Sequence, residues 1–435
     1  MYFDTIAVRG GYDAQEALNN NGSICEPAYL SPAQHFDTSE DMRSCLSGET
    51  TGWVYTRIDN PTVRQLETTL AALESYGCDF DANACVFSSG MAAIFMAATA
   101  LVADDPARPM ANIVLPSACY GGSYMLFRER FQVDRGIEIR WINDQLDLDM
   151  WENAIDENTR FVMCEVPANP LLRMTDIPAL AQLTKAQGVP LMVDATLSGP
   201  AVMRPLALGA DIVVHSVSKA MSASGLSIAG AVISRPDISL QHPRTEMRTD
   251  FARFLKRGPQ RDSGVILSPF NALQSLADLR SLRSRMDIMG QSAERVAMFL
   301  SGHDAVLETY YPGLPDMPGH DIARRDMILV DSEHEPGGLR NSYGYLIAIR
   351  MKGGVGAACA FLDNLQIFWR ANDLGRIKST ATIPAIATHS QLSEQERLES
   401  GIPGDLVRLS VGCENVRDIL ADVEAALGHS QKVAV

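Results

Sequence analysis

The run Val213-Val-His-Ser-Val-Ser-Lys219 carries a buried-looking apolar stretch into two hydroxyl residues and a lysine, a poor setting for an ordinary solvated lysine. Upstream, Val-Pro-Leu-Met-Val-Asp194 closes another apolar stretch on a carboxylate. The pair suits pyridoxal phosphate chemistry. There, an amine forms a Schiff base with the cofactor aldehyde and moves protons, while a carboxylate keeps the pyridine nitrogen protonated and so makes the ring a better electron sink. Taken alone, the two residues are more often a strand-end lysine capped by hydroxyls and an aspartate that caps a helix.

Four further segments offer parts that such a cofactor needs. Phe87-Ser-Ser-Gly90-Met91-Ala-Ala-Ile sets small residues at a helix start, where free N–H groups and the helix dipole attract phosphate, although Ser-Gly is also common capping. Ala118-Cys-Tyr120-Gly-Gly-Ser-Tyr puts an aromatic ring after a strand, where it could stack on a flat cofactor or pack in the core. Glu165-Val-Pro-Ala-Asn169-Pro ends another strand on an asparagine that is either a contact or a turn residue. Leu406-Val-Arg408-Leu-Ser-Val places a guanidinium inside an apolar strand, so a carboxylate partner from protein or ligand is expected.

The elements that position these residues follow from periodicity. Leu66, Leu70 and Leu73 fall at helical spacing. Short apolar runs at 113–115, 161–164, 191–193, 212–214 and 229–233 alternate with helical patterns, among them one near Gly122 and one from Ile177 to Gln187. Such alternation predicts an α/β fold with a mostly parallel central sheet covered on both faces. Residues 1 to about 60 look like an extended arm. The stretch Val86 to Ala103, ending at Asp104-Asp105, reads as a buried helix with a polar entry and not as a membrane span. Residues 235–262 look basic and irregular, and a long helical pattern runs from Pro269 to Leu300. Beyond it, strands at 345–350, 365–368 and 406–411 suggest a smaller C-terminal α+β domain, closed by a helix over 418–427. The expected division is an arm over 1–62, a large domain over 63–265 and a C-terminal domain over 266–435.

At 435 residues the chain can bury a large core, and its net charge of −16 argues against nucleic acid or an anionic membrane surface as a bulk partner. Eight scattered cysteines form no Cys-x-x-Cys pair and read as reduced thiols of a cytoplasmic protein, with no metal site. The N-terminus lacks the basic region and apolar run of a signal peptide.

Tyr55-Thr-Arg57-Ile-Asp-Asn-Pro-Thr, Ser88-Ser-Gly-Met-Ala-Ala, Tyr120-Gly-Gly, Asn169-Pro, Val193-Asp194, His215-Ser-Val-Ser-Lys219 and Arg408-Leu-Ser-Val-Gly-Cys-Glu occur in one order. That order resembles the pyridoxal-phosphate family of cysteine and methionine metabolism, which includes cystathionine synthases and lyases, methionine γ-lyases and O-acetylhomoserine sulfhydrylases. The resemblance spans nearly the whole chain and is nearest to the sulfhydrylase and γ-lyase branch through Gly199-Pro, Arg204-Pro-Leu and Gly209-Ala-Asp-Ile-Val-Val-His-Ser.

The resemblance implies a fold-type I transferase architecture and a role for each matching residue. Lys219 would hold pyridoxal 5′-phosphate and shuttle protons, Asp194 would pair with the ring nitrogen, and Tyr120 would stack on the ring. Gly90, Met91, Ser216 and Ser218 would hold the phosphate from within one subunit. Tyr55 and Arg57 resemble phosphate ligands that a neighbouring subunit donates, which implies a homodimer or homotetramer. Arg408, Asn169 and Ser379 resemble the clamp on the substrate carboxylate. The chain departs from the family at Ala220 and Ser224, where an aromatic residue and a histidine are usual. It departs also at Ala195, at Ile383, and at Gly122, where methionine γ-lyases carry cysteine.

The expected reaction is γ-replacement or γ-elimination on a homoserine- or methionine-derived amino acid through a vinylglycine-type ketimine, with sulfide addition to O-acetylhomoserine as the default. A synthase delivering the four-carbon unit to another nucleophile is the alternative. A cofactor-binding regulator would be expected to lack one of Lys219, Asp194 and Arg408, and an aminotransferase fits the ordered motifs poorly. The basic segment 235–261, with seven basic residues against three acidic ones, is either a connector or a cover that attracts an anionic co-substrate.

Overall fold

A computed structural model describes every residue except 51, 103–109, 388–389, 391–393, 400 and 434–435. Ala103 and Asp104-Asp105 therefore lie outside the described residues. Seven strands form the large sheet: β1 (Asn83–Phe87), β2 (Asn112–Pro116), β3 (Glu138–Ile142), β4 (Thr159–Glu165), β5 (Leu191–Asp194), β6 (Ile212–His215) and β7 (Gly230–Ser234). Their order is β1-β7-β6-β5-β4-β2-β3, and β7 alone runs against its neighbours. Both faces are covered. Val162, Cys164, Leu191, Val193 and Val213 enter one apolar cluster, while Phe161, Met163, Met192, Ile212 and Val214 enter the other. This two-residue alternation within continuous apolar runs is what a doubly covered parallel sheet requires, and each fully buried side chain of this size contributes about 1.5–3 kcal/mol.

The second sheet has five strands: β8 (Val306–Tyr310), β9 (Leu346–Met351), β10 (Trp369–Arg370), β11 (Thr380–Thr382) and β12 (Leu406–Ser410). They are ordered β10-β11-β12-β9-β8. Arg408 sits in the middle strand opposite Ala348 of β9 and Thr382 of β11. The helices Gly354–Asn364 and Val416–Val433 cover this sheet through Phe361, Ile419, Val423 and Leu427.

Several expectations change. The apolar stretch from Val86 is not one helix: Asn83–Phe87 is a strand, and the helix Gly90–Leu101 starts where the Ser89 hydroxyl accepts the Ala92 N–H at 3.1 Å. The arm contains helices Phe3–Arg9, Ala14–Asn19 and Ser39–Ser47. The stretch Pro269–Leu300 is two helices, Pro269–Leu279 and Leu282–Ser301. Residues 365–368 form no strand, and the short β10 follows them. The basic segment folds into short helices over Thr245–Gln260 that bury Met247, Phe251, Ala252 and Leu255 against the large sheet. No helix among the described residues is long and apolar enough to cross a membrane.

Candidate active site

The candidate residues gather at the carboxyl ends of the parallel strands, where open α/β sheets present their ligand crevices. β1 leads to Ser89 and Gly90, β2 to Tyr120, β4 ends on Glu165, β5 on Asp194, and β6 leads through Ser216 and Ser218 to Lys219. The approach of these loops is tight. A Cβ on Gly90 would stand 2.7 Å from the Ser216 Cβ, and one on Gly230 would stand 2.1 Å from the Ser89 carbonyl oxygen. Only glycine fits at those two positions.

Asp194 is buried, and one of its oxygens accepts both the backbone N–H (3.0 Å) and the hydroxyl of Thr196. Glu165 lies beside it in register on β4. The Glu165 oxygens accept the Asn169 N–H at 2.9 Å and the Tyr120 N–H at 2.6 Å. One buried carboxylate thus fixes the backbone that carries both the ring of Tyr120 and the amide of Asn169. Burial raises the pKa of Glu165, and the neighbouring Asp194 raises it further. Burial also raises Asp194, against the Thr196 bonds and His215. Behind them His215 Nε2 meets Glu74 Oε2 at 2.9 Å, with both residues fully buried.

Lys219 is mostly buried, and burial lowers its pKa against the opposing pull of Asp373. Its Nζ donates to Asp373 Oδ1 at 3.0 Å. Arg408 is 1% exposed. Its guanidinium donates to Asn169 Oδ1 at 3.2 Å and to the Asp373 carbonyl oxygen at 3.3 Å. Among the described residues no carboxylate forms an ion pair with it, and burial lowers its pKa to about 10. A buried guanidinium with spare donors, close enough to act on Lys219, suits an amino-acid carboxylate, which it can grip in a bidentate fork. Burial also raises the Tyr120 hydroxyl, against the lowering effect of Arg408, so the phenol stays protonated at neutral pH.

The remaining candidates fall at different distances from this cluster. Met91 opens the helix after Gly90 and packs partly on the core. The Ser216 N–H donates to the Thr196 hydroxyl at 2.8 Å. The Ser218 hydroxyl is taken up by the backbone of Ala229, donating to its carbonyl and accepting its N–H. Ser379 is fully buried; its hydroxyl donates to Glu414 at 2.8 Å and accepts the Gly412 N–H at 2.9 Å. The structure thus sets Asp373 beside Arg408, and turns the Ser379 hydroxyl to Glu414. Tyr55 is exposed, and the Arg57 guanidinium lies 5.5 Å from its ring centre while donating to the Arg261 carbonyl at 2.9 Å. Among the described residues, no hydrogen bond links either of them to the Lys219 cluster. Glu165, Thr196, Asp373 and Arg376 are the site residues that sequence reasoning missed. Only Glu165 carried a signal, as the carboxylate closing a buried strand.

The donor set suits a phosphorylated pyridine aldehyde: a lysine, a buried ring-nitrogen partner, and a helix N-terminus pressed against Ser216. The model of the Cys/Met metabolism PLP-dependent enzymes matches residues 4–428. The L-methionine gamma-lyase of Pseudomonas deceptionensis is 35% identical over 426 residues, 98% of this chain and 97% of that protein. The O-succinylhomoserine sulfhydrylase of Pseudomonas aeruginosa is 33% identical over 98% of this chain and 95% of its own. A solved structure from Campylobacter jejuni that carries N′-pyridoxyl-lysine-5′-monophosphate superposes with a TM-score of 0.86 at 29% identity, covering 98% of this chain and all of that one (100%).

Proposed function

The chain belongs to the Cys/Met metabolism PLP-dependent enzymes, and on that premise we propose that it catalyses γ-replacement or γ-elimination on a homoserine- or methionine-derived amino acid. Pyridoxal phosphate, when bound, supplies the electron sink that makes the Cα and Cβ protons of an amino acid removable. Lys219 is assigned to hold the cofactor and to carry protons at Nζ, Asp194 to pair with the ring nitrogen, and Tyr120 to cover the ring. Gly90, Met91, Ser216 and Ser218 are assigned to the phosphate through the loop they form, with backbone groups serving where the Ser218 hydroxyl is engaged. Tyr55 and Arg57 are assigned to the phosphate of a neighbouring subunit, which makes a dimer the smallest active unit. The scattered free cysteines support a cytoplasmic home.

The observation that carries the reading is Arg408, a buried cation with no carboxylate of its own among the described residues. In the proposed reaction Arg408 grips the α-carboxylate and Asn169 orients it. Lys219 takes the Cα proton, and the protonated phenol of Tyr120 is the candidate donor to a departing γ group. Sulfide addition to an O-acylated homoserine is the default outcome. A synthase using a bulkier nucleophile is the second reading, favoured by Ala220 and Ser224 where the family carries larger groups.

The test is to expose the holoenzyme to amino acids bearing acyloxy, thioether or sulfonium groups at Cγ, then to identify products with and without sulfide. Borohydride reduction and peptide mapping should place the cofactor on Lys219. Turnover confined to β-substituted amino acids, or label on another lysine, would overturn the proposal.

A further inference from the structure

Asp373 has no part in the assignments above, yet it is the group that holds Lys219. It lies on the loop between β10 and β11, and its carboxylate is gripped from several sides. Oδ2 accepts the Nε–H of Arg376, whose Nη1 in turn donates to the Ser222 carbonyl at 2.7 Å. Oδ1 accepts the Leu374 N–H at 2.9 Å and Nζ of Lys219 at 3.0 Å. The Asp373 carbonyl accepts the Thr380 hydroxyl at 2.8 Å and Arg408 at 3.3 Å. Arg376 and the Leu374 N–H pin this carboxylate, and Thr380 pins the backbone that carries it, whatever Lys219 does. The lysine, on its long flexible stem, is the partner that can leave and return.

We propose that Asp373 is a positioning residue that docks the ammonium of Lys219 whenever that lysine is off the cofactor, and so retains within the site the proton Lys219 has taken from the substrate. The inference rests on the assignment of Lys219 as cofactor lysine and base. In the step concerned the substrate Cα–H bond breaks and Nζ goes from amine to ammonium; the bound cofactor would supply the sink for the electron pair left behind. No further reactant is needed. The charged groups that face this ammonium are Asp373, Arg376 and Arg408. Burial and the two guanidiniums disfavour the charged lysine, and Asp373 is the one anion among them. Burial pushes the Asp373 carboxyl up, but the Arg376 bond and the Lys219 charge outweigh it and hold the group below its ordinary range, so it stays ionised at neutral pH. A base flanked by two guanidiniums alone would be a poor proton acceptor, and Asp373 corrects that.

The experiment uses the full chain in two forms. In cofactor-free protein, labelling of Lys219 by an amine reagent is followed against pH by peptide mass spectrometry. Asp373→Asn, whose amide oxygen can still accept from Arg376, should move the labelling midpoint down by about one pH unit, a tenfold change in the amine fraction. Arg376→Gln, which removes a repelling cation and frees Asp373, should move it up. In holoenzyme, Cα-deuterium exchange of an unreactive amino acid should slow about tenfold or more in Asp373→Asn, with KM changed less than threefold and the rate restored in part by Asp373→Glu. An unmoved labelling midpoint with unmoved exchange in Asp373→Asn overturns the docking role. Lys219→Ala separates this from the parent reading: if it still exchanges the Cα proton at the wild-type rate, the assignment of Lys219 fails, whatever Asp373 does.

Discussion

Replacing Arg408 with methionine should separate two effects that most active-site substitutions confound. The stem is nearly preserved and the charge is lost. The fall of the guanidinium pKa to about 10 on burial corresponds to about 3 kcal/mol against the charged form in the folded chain. The sign follows from proton linkage. Below about pH 10 the group is charged both folded and unfolded, so the cost is present in full. It is relieved only as the pH rises past 10, where the unfolded chain binds more protons. Arg408→Met removes that cost but leaves Asn169 Oδ1 without its donor, while the Asp373 carbonyl keeps the Thr380 hydroxyl. One unpaired acceptor costs about 1–3 kcal/mol, so the ligand-free variant should unfold at an unchanged or higher temperature.

Substrate binding should respond in the opposite direction. Deleting one partner of a buried charge pair costs about 2–5 kcal/mol, or roughly 30- to 4,000-fold in KM. The assay is thermal unfolding of holoenzyme with and without norleucine, which offers a carboxylate but no γ leaving group, alongside steady-state kinetics. Wild type should be stabilised by norleucine, and Arg408→Met should not. A variant clearly destabilised without ligand, yet holding KM within threefold, would refute the reasoning.

Mixing inactive Arg57→Ala with inactive Lys219→Ala should restore part of the activity through hybrid dimers with one intact site; subunit exchange without recovery would remove the shared-site assignment. Lys256→Met should lower stability by about 3–5 kcal/mol in denaturant titrations, because the buried Lys256 pairs with Glu67 and, at 2.8 Å, with Asp59; an unchanged midpoint would contradict this. Gly122→Ala should displace the Tyr120 ring, since the new Cβ would stand 2.5 Å from the Tyr120 Cε1. A matching change in the circular dichroism of the bound cofactor, with kcat falling more than KM rises, is the expected result.

The strands that carry Asp194, Lys219 and Arg408 were legible because fully buried strands are continuous apolar runs, and a charged residue ending or interrupting one stands out. β1 and β3 were not. β1 runs almost directly into the apolar helix Gly90–Leu101, so the two merge into one hydrophobic stretch. β3 is the sheet edge, with Glu138 exposed and Arg140 and Trp141 half-buried, and its pattern resembles a loop. The helices of the basic segment were hidden for a related reason: its seven cations masked Met247, Phe251 and Leu255, which are its core-facing residues. Lys256, one of those cations, is a buried ion-pair partner of Glu67 and Asp59. That removes it from any role in steering an anionic co-substrate.

Asp373 had no local signal at all, since an aspartate in a polar loop is an ordinary turn residue. Its meaning comes from contacts made across the fold, to Lys219, Thr380 and Arg408. The loop after Lys219 is held by side chains from elsewhere in the chain. Arg285 donates to the Ala220 carbonyl at 2.6 Å, and Arg376 to the Ser222 carbonyl at 2.7 Å. Asp278 accepts both the N–H and the hydroxyl of Ser224. The Ser222 hydroxyl pairs with Ser275. Three of these supports, Ser275, Asp278 and Arg285, come from the paired helices after Pro269, and Arg376 comes from the same loop as Asp373. One arginine therefore braces the loop that follows the lysine and the carboxylate that receives it. The polar frame that holds this loop thus also sets an anion against Lys219.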